Sequence, residues 1–433
     1  MSDRPESINR YIRDYQSKPL TTGRLGGQQV RCRICGSETF TPVDLGMHPF
    51  ANGLVESPNQ SVERYPLALN VCSRCSAAQL SYCADDQELY EDYIFMTPNS
   101  TALRQHYISL YNFLEENGYL ARPIDVLEIG SNVGYFLETI RSQARSVLGV
   151  DPALNIARIA NERGIPTMPA FFNTDSAEII LRNEGKKNLL IARHVFAHNE
   201  NPWHMLDGVR KLMTGNGTFV IENAYLPDTI RKHEFDQIYH EHMYYYNIRA
   251  IQEIVQKGGM RLIDVMHANV HGGSMAYIVK WASAYEQPTE RLREYLAQET
   301  LMHTPQYYED FRQQLRRNRS ELRALIRGLR AEGKTIHAYG ASAKSTTLFN
   351  YFGITSEEIP VVVDSTPTKI GKYIPGANIR IISENEARNN RPDYYLLTIW
   401  NYKNEIVRKV RSWGDTQSQF ILPHPKVEVV SNE

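Results

Sequence analysis

The stretch IDVLEIGSNVGYFLETIRSQARSVLGVD, residues 124–151, constrains the fold of this chain more than any other. Residues 124–129 are an apolar run of strand character, Gly130 and Gly134 bracket a turn, and an amphipathic helix follows. A second strand, SVLGVD, ends in Asp151, 21 residues beyond Gly130. Strand, glycine turn, helix and strand open a parallel sheet. Ligands sit at the carboxyl edge of such a sheet, where an acidic side chain can accept both hydroxyls of a ribose. The turn runs Gly-Ser-Asn-Val-Gly, which is not the dinucleotide fingerprint. Further strand-like runs at 188–198 (NLLIARHVFAH), 217–225 (GTFVIENAY) and 261–282 continue the alternation, so residues 100–280 read as a doubly wound sheet.

Upstream, the cysteines are paired. Cys32 and Cys35 form CRIC, Cys72 and Cys75 form CSRC, and Cys83 stands apart. Thiolates with two residues between them in a tight turn reach one tetrahedral cation, and two such knuckles complete a closed four-sulfur shell. In a reducing compartment this reads as structural Zn2+ rather than disulfides, although the 36 intervening residues exceed the compact zinc-ribbon spacing. A closed shell folds its module and leaves no open position for a reacting water.

At 433 residues, 42% of them hydrophobic, the chain can bury two or three cores. A net charge of −1 gives no electrostatic argument for a nucleic-acid partner, and the basic runs RKHEFD and FRQQLRRNRS read as solvated helix faces. No apolar run of about 18 residues suggests a membrane partner, and the polar first residues lack a signal-peptide core, so the cytoplasm is the expected location.

Residues 284–330 read as long amphipathic helices. A second α/β unit follows them. KTIHAYGASAKSTTLFNYFG is strand, turn and helix, and IPVVVD is a strand ending in Asp364. The turn is not a triphosphate loop, because Ala343 stands where glycine is needed before Lys344. Anion binding at the helix start, backed by Ser342, Lys344 and Ser345, remains open beside a plain capped helix.

FDQIYHEHMYYYN, residues 235–247, offers two readings, a metal site and a general-base cluster. His240 and His242 are two apart. On a helix they diverge by roughly 200°, and on a strand they share a face with Glu241 opposite, without a third ligand signal.

Glu128, Gly130 and Gly134 form E-x-G-x-x-x-G, which resembles the first motif of class I S-adenosylmethionine-dependent methyltransferases. That cofactor has no pyrophosphate, which suits a turn of few glycines. Glu128, Gly130, Ser131, Asn132, Gly134 and Asp151 are then the candidate cofactor-binding residues. The order of the cysteine module, LEIGSNVGYF, YHEH, HGGS and YGASAKSTTLFNY resembles the sugar C-methyltransferase family, whose best-described members act on carbon 3 of nucleotide-linked 4-keto-deoxysugars.

The resemblance implies an α/β multidomain protein. Residues 1–88 would form a four-cysteine zinc module, 89–283 a class I methyltransferase sheet, and 284–433 a helical plus Rossmann-like substrate-binding domain. A nucleotide-linked ketosugar would lie between the last two. His242 would be the base, supported by Tyr239 and Glu241, with His198 and Tyr93 also catalytic. Asn52, His240, Ser342 and Lys344 would meet substrate. A nearby glutamate can fix the tautomer of such a histidine.

The chain departs from the family pattern at Val133, Asn188 and Ala276. An O- or N-methyltransferase of small molecules, a zinc hydrolase on His240, Glu241 and His242, and a nucleic-acid methyltransferase stay open at this point, as does the oligomeric state.

Overall fold

The computed structural model describes residues 31–84, 97, 100–284 and 287–430; Tyr93 lies outside the described residues. Strands β1 (Thr39–His48), β2 (Tyr65–Cys72) and β3 (Ala78–Leu80) form an antiparallel meander. Leu67, Leu69 and Val71 recur at the two-residue period of a strand. With Val43 and Leu45 they join a core completed by Phe311, Leu348 and Phe349 from far downstream.

Ser100 starts the next unit by capping helix Thr101–Glu116, its hydroxyl accepting from the Leu103 N–H at 3.2 Å. Strands β4 (Asp125–Ile129), β5 (Ser146–Asp151), β6 (Thr167–Pro169), β7 (Lys187–Arg193) and β8 (Met213–Ala224) follow. After β8 come the two-residue strand β9 (Tyr244–Tyr245), then β10 (Met260–Ala268) and β11 (Ser274–Trp281). The seven-stranded sheet has the order β10-β11-β8-β7-β4-β5-β6, parallel from β8 to β6 with an antiparallel hairpin at one edge. Helices cover both faces, and β4 is buried throughout, as a central parallel strand should be.

β9 does not belong to that sheet. It pairs antiparallel with β3, Ala78 opposite Tyr245 and Gln79 opposite Tyr244, so the N-terminal sheet runs β1-β2-β3-β9. The zinc-bearing layer is therefore not confined to residues 1–88. Tyr244, Tyr245 and Tyr246 are all buried, which an isolated surface loop could not achieve. Docking against β3 hides them, and the Tyr245 hydroxyl donates to the Gln237 carbonyl at 2.8 Å.

The expected helices past residue 284 are Glu290–Gln298 and Glu309–Ala331. The first packs on the methyltransferase unit through Leu292, not on the C-terminal one. Just past it, the buried Glu299 accepts from the N–H groups of Ile248 and Arg249 and caps helix Ile248–Lys257.

The C-terminal sheet comprises β12 (Ile336–Tyr339), β13 (Val361–Asp364), β14 (Arg380–Ser383), β15 (Tyr394–Leu397), β16 (Gln419–Leu422) and β17 (Glu428–Val430). Its order is β14-β13-β12-β15-β16-β17, parallel except for β17. Helix Ala343–Phe352, which follows β12, is clasped to both other regions. Thr346 donates to the Ala51 carbonyl at 2.8 Å and Thr347 to that of Ile238 at 3.2 Å. These bonds turn the carboxyl edges of the two sheets toward one cavity. Among the described residues no helix is long and apolar enough to cross a membrane.

Candidate active site

The four cysteines of the knuckles converge, their sulfurs all within 4.8 Å of one another. Cys32 and Cys75 lie 3.7 Å apart and Cys35 and Cys72 3.4 Å, close to the roughly 3.8 Å edge of a tetrahedron with 2.3 Å zinc–sulfur bonds. Each knuckle closes on a left-handed residue, Gly36 (φ 75°) and Ser76 (φ 58°), whose N–H donates back to the Cys32 or Cys72 carbonyl. The donor set fits zinc. None of the four sulfurs' residues lines the cavity, so the site is structural.

The cavity has a volume of about 380 Å³ and takes walls from all three regions. On the methyltransferase side, Gly130 (φ 68°) turns the chain off β4, and a Cβ there would stand 2.8 Å from the Val195 side chain. Asp151 braces the turn. Its Oδ2 accepts from the Asn132 N–H at 2.8 Å and its Oδ1 from that of Ala153 at 3.1 Å, and each oxygen keeps a lone pair for a ligand. Burial pushes this carboxyl up to about 6. The Ser131 hydroxyl is buried there without a partner. A carboxylate, an orphaned hydroxyl and a close glycine turn fit the nucleoside of S-adenosylmethionine.

Two of the expected cofactor residues act differently. Gly134 does not line the cavity; at φ 80°, with Ile165 2.9 Å from the position of a Cβ, it shapes the turn. Glu128 is wholly buried and also off the cavity. The neighbouring β7 carries Arg193, which stands at the cavity wall and pairs with Glu128 at 2.6 Å.

Opposite lies the 235–247 segment. Residues 239–242 form a turn, the His242 N–H donating to the Tyr239 carbonyl at 3.0 Å, so neither helix nor strand sets the directions of the histidines. His242 faces the cavity. Its Nδ1 is 3.1 Å from the Gln237 carbonyl, which can only accept, so Nδ1 carries the hydrogen. Its Nε2 then accepts from the Tyr239 hydroxyl at 2.8 Å. Burial, with the nearby His198 and His194, holds this imidazole well below its usual range, hence neutral at pH 7. The His198 ring lies 5.0 Å from that of His242.

The expected tautomer partner was Glu241, but the carbonyl of Gln237 takes that place. Glu241 instead accepts from Asn52 Nδ2 at 3.0 Å on the cavity wall, its carboxyl raised to about 7 by burial. His240 leaves the other side of the turn and does not line the cavity. Its ring packs edge-on against Phe50 at 5.3 Å, with Nε2 3.3 Å from the Pro66 carbonyl. Histidines that diverge in this way cannot share an ion. Among the described residues the four cysteines are the one group of three or more His, Cys, Asp or Glu side chains close enough to hold a metal.

The C-terminal wall brings Ser342 and Lys344 from the start of helix Ala343–Phe352. Ser342 occupies the cap position without capping, and its Oγ and the Lys344 Nζ are both buried without a hydrogen-bond partner. The ammonium lies 5.2 Å from the Trp400 ring. Gln237, His194, His271, Lys369 and Tyr402 also line the site and were not foreseen. Asn132, His194 and His271 all hold left-handed φ near 50° at the cavity, a strain typical of functional positions. Sequence carries no signal for such angles in histidine.

A parallel sheet with a cofactor turn at its carboxyl edge, joined to a closed four-cysteine module, defines a class I S-adenosylmethionine-dependent methyltransferase with a zinc-binding domain. Family models match accordingly. A zinc binding domain covers residues 32–90, a methyltransferase domain 101–265 and a C-methyltransferase C-terminal domain 269–425. The chain is 34% identical over 407 residues to the C-methyltransferase NovU of Streptomyces niveus, covering 93% of this chain and 97% of that protein. It belongs to this C-methyltransferase family.

Solved structures similar in part include magnesium protoporphyrin IX methyltransferase from Synechocystis PCC 6803 (14% identity, TM-score 0.32, 44% of this chain and 88% of that one). The N-methyltransferase NodS from Bradyrhizobium japonicum WM9 is another (13%, 0.32, 44% and 99%).

Proposed function

We propose that this C-methyltransferase acts on a nucleotide-linked 4-keto-deoxysugar, methylating carbon 3 after removal of its proton. The observation that carries the reading is that one cavity holds three things: the Gly130–Asp151 turn, a neutral His242 with its lone pair on Nε2, and the unpartnered Ser342 and Lys344. Carbon beside a ketone gives up a proton when a base is positioned and the developing oxygen charge receives a hydrogen bond. S-adenosylmethionine, when bound, supplies an electrophilic methyl group.

The chain's own residues do the rest. Tyr239 holds the Nε2 lone pair in reserve. With substrate in place, its hydroxyl turns to the ketone oxygen and frees Nε2 for the proton, while the Gln237 carbonyl keeps the other hydrogen on Nδ1 as imidazolium forms. Glu241 and Asn52 act as a wall contact for the sugar, and His198 lies beside the base with its ring tilted 46° to it. Ser342 and Lys344 receive the phosphates at a helix start, where N–H groups and dipole both favour anions. Tyr93, assigned by family resemblance, stays part of the proposal.

Mass spectrometry of products from a panel of nucleotide-linked ketosugars tests the reading. A mass gain of one methyl, located on the ring carbon beside the ketone, is expected. Methylation of an oxygen or nitrogen, or of no member of the panel, overturns it.

A further inference from the structure

Glu128 lies behind Arg193, and that arrangement leaves a guanidinium with work to do. Arg193 ends β7, whose neighbour in the sheet is β4, with β5 on the far side. Asp151 ends β5, roughly 10 Å away across two strand spacings. Gly130, Asp151 and Arg193 line the same cavity, so a nucleoside whose ribose meets Asp151 would have Arg193 within reach of a 5′ substituent laid across Gly130. In S-adenosylmethionine that substituent is an amino acid arm ending in a carboxylate.

The guanidinium is built to receive one. Its Nε and Nη2 both donate to a single oxygen, Glu128 Oε1, at 3.1 and 2.6 Å. The plane is held over Tyr107 and Phe136, 4.3 and 4.7 Å from their ring centroids. Nη1 has no carbonyl or carboxylate partner among the described residues. The side chain is 12% exposed, and that exposure is to the cavity wall it forms. An almost buried cation at a cavity wall, with only Nε and Nη2 committed to a carboxylate, is a binding group for an anionic oxygen pair.

We propose that Arg193 binds the α-carboxylate of the cofactor's amino acid arm, with Glu128 as the positioning residue that holds the guanidinium at the cavity. Burial raises the Glu128 carboxyl to about 7, and the buried Glu222 is a second carboxylate in the surroundings of the guanidinium.

Calorimetry on the full chain tests this with three ligands: S-adenosylhomocysteine, its decarboxylated analogue S-adenosyl-3-thiopropylamine, and 5′-methylthioadenosine, which lacks the whole arm. The parent should bind S-adenosylhomocysteine roughly 10- to 100-fold more tightly than the decarboxylated analogue, the scale of hydrogen bonds to a charged group. A double variant, Arg193→Met with Glu128→Gln, removes the pair together and leaves the buried Glu222 with its His106 partner. It should lose that preference to within about twofold while binding methylthioadenosine as the parent does. Arg193→Lys keeps a cation beside Glu128 but only a point contact, and should weaken S-adenosylhomocysteine alone, by several-fold. A parent that does not distinguish the first two ligands overturns the assignment. So does a variant that keeps the parental preference, or one that loses all three ligands equally, the mark of a purely structural pair.

Discussion

The two α/β units repeat one device. In each, a left-handed glycine follows the central strand and donates its N–H to the neighbouring strand at 2.8 Å, Gly130 to Val150 and Gly340 to Val363. In each, an aspartate ending that neighbour braces the turn, Asp151 through the Asn132 N–H and Asp364 through that of Ala341, both at 2.8 Å. In each, a β-branched side chain from the third strand's end crowds the glycine, Val195 and Ile399. The side chains placed on the turn then differ. Asp151 is buried against the backbone N–H groups of Asn132 and Ala153, whereas the C-terminal turn carries Ser342 and Lys344, and Lys369 donates to the Ala341 carbonyl at 2.8 Å. One backbone design can thus present a carboxylate at one turn and cationic side chains at the other.

The contrast can be broken at several points, beginning with the layer that supports both units. Cys72→Ser should release about one zinc per chain and unfold the N-terminal sheet, because a structural zinc site contributes on the order of 10–16 kcal/mol to folding. Metal analysis and amide exchange check this, and a zinc-free protein that stays folded and active refutes it. Next is the segment between the units. His242→Asn should lower kcat by about 10²–10⁴, with zinc content and cofactor affinity unchanged. In heavy water, with a sulfonium analogue that cannot donate methyl, it should also abolish any exchange of the hydrogen beside the ketone. Near-parental turnover would pass the role of base to His198. Glu241→Gln should be milder, since that carboxylate does not touch the imidazole.

A paired substitution sharpens the comparison itself. Asp151→Ala should weaken cofactor binding by about 1–3 kcal/mol and leave the KM for nucleotide sugar alone, while Lys344→Ala should raise that KM about tenfold and spare cofactor affinity. Crossed effects would mean that the two turns do not hold separate ligands. The smallest effect is a pH dependence. Burial raises Asp151 to about 6, and ribose hydroxyls donate to the charged form, so cofactor affinity should fall as pH drops through 6 and level off above it. Asp151→Asn should flatten that profile in calorimetry. A parent affinity constant from pH 5 to 8 would contradict the assignment.

Sequence alone determined what depends on near neighbours in the chain. Cysteines with two residues between them impose a knuckle, a glycine is demanded where φ is positive, and an acid at the end of the next strand follows from the length of one βα repeat. The zinc module, the doubly wound sheet and Asp151 were legible for that reason. Tertiary structure alone decided what depends on packing between distant segments. The turn 239–242 has no period to read, so the fate of His240 was set by Phe50 and by the Pro66 carbonyl, 174 residues upstream, and the tautomer of His242 by a backbone oxygen. β9 crosses to another sheet because three consecutive tyrosines need a buried edge. Glu128 was expected to touch cofactor, yet burial at the centre of the sheet required a countercharge, and Arg193 on the adjacent strand took both the pairing and the place at the cavity.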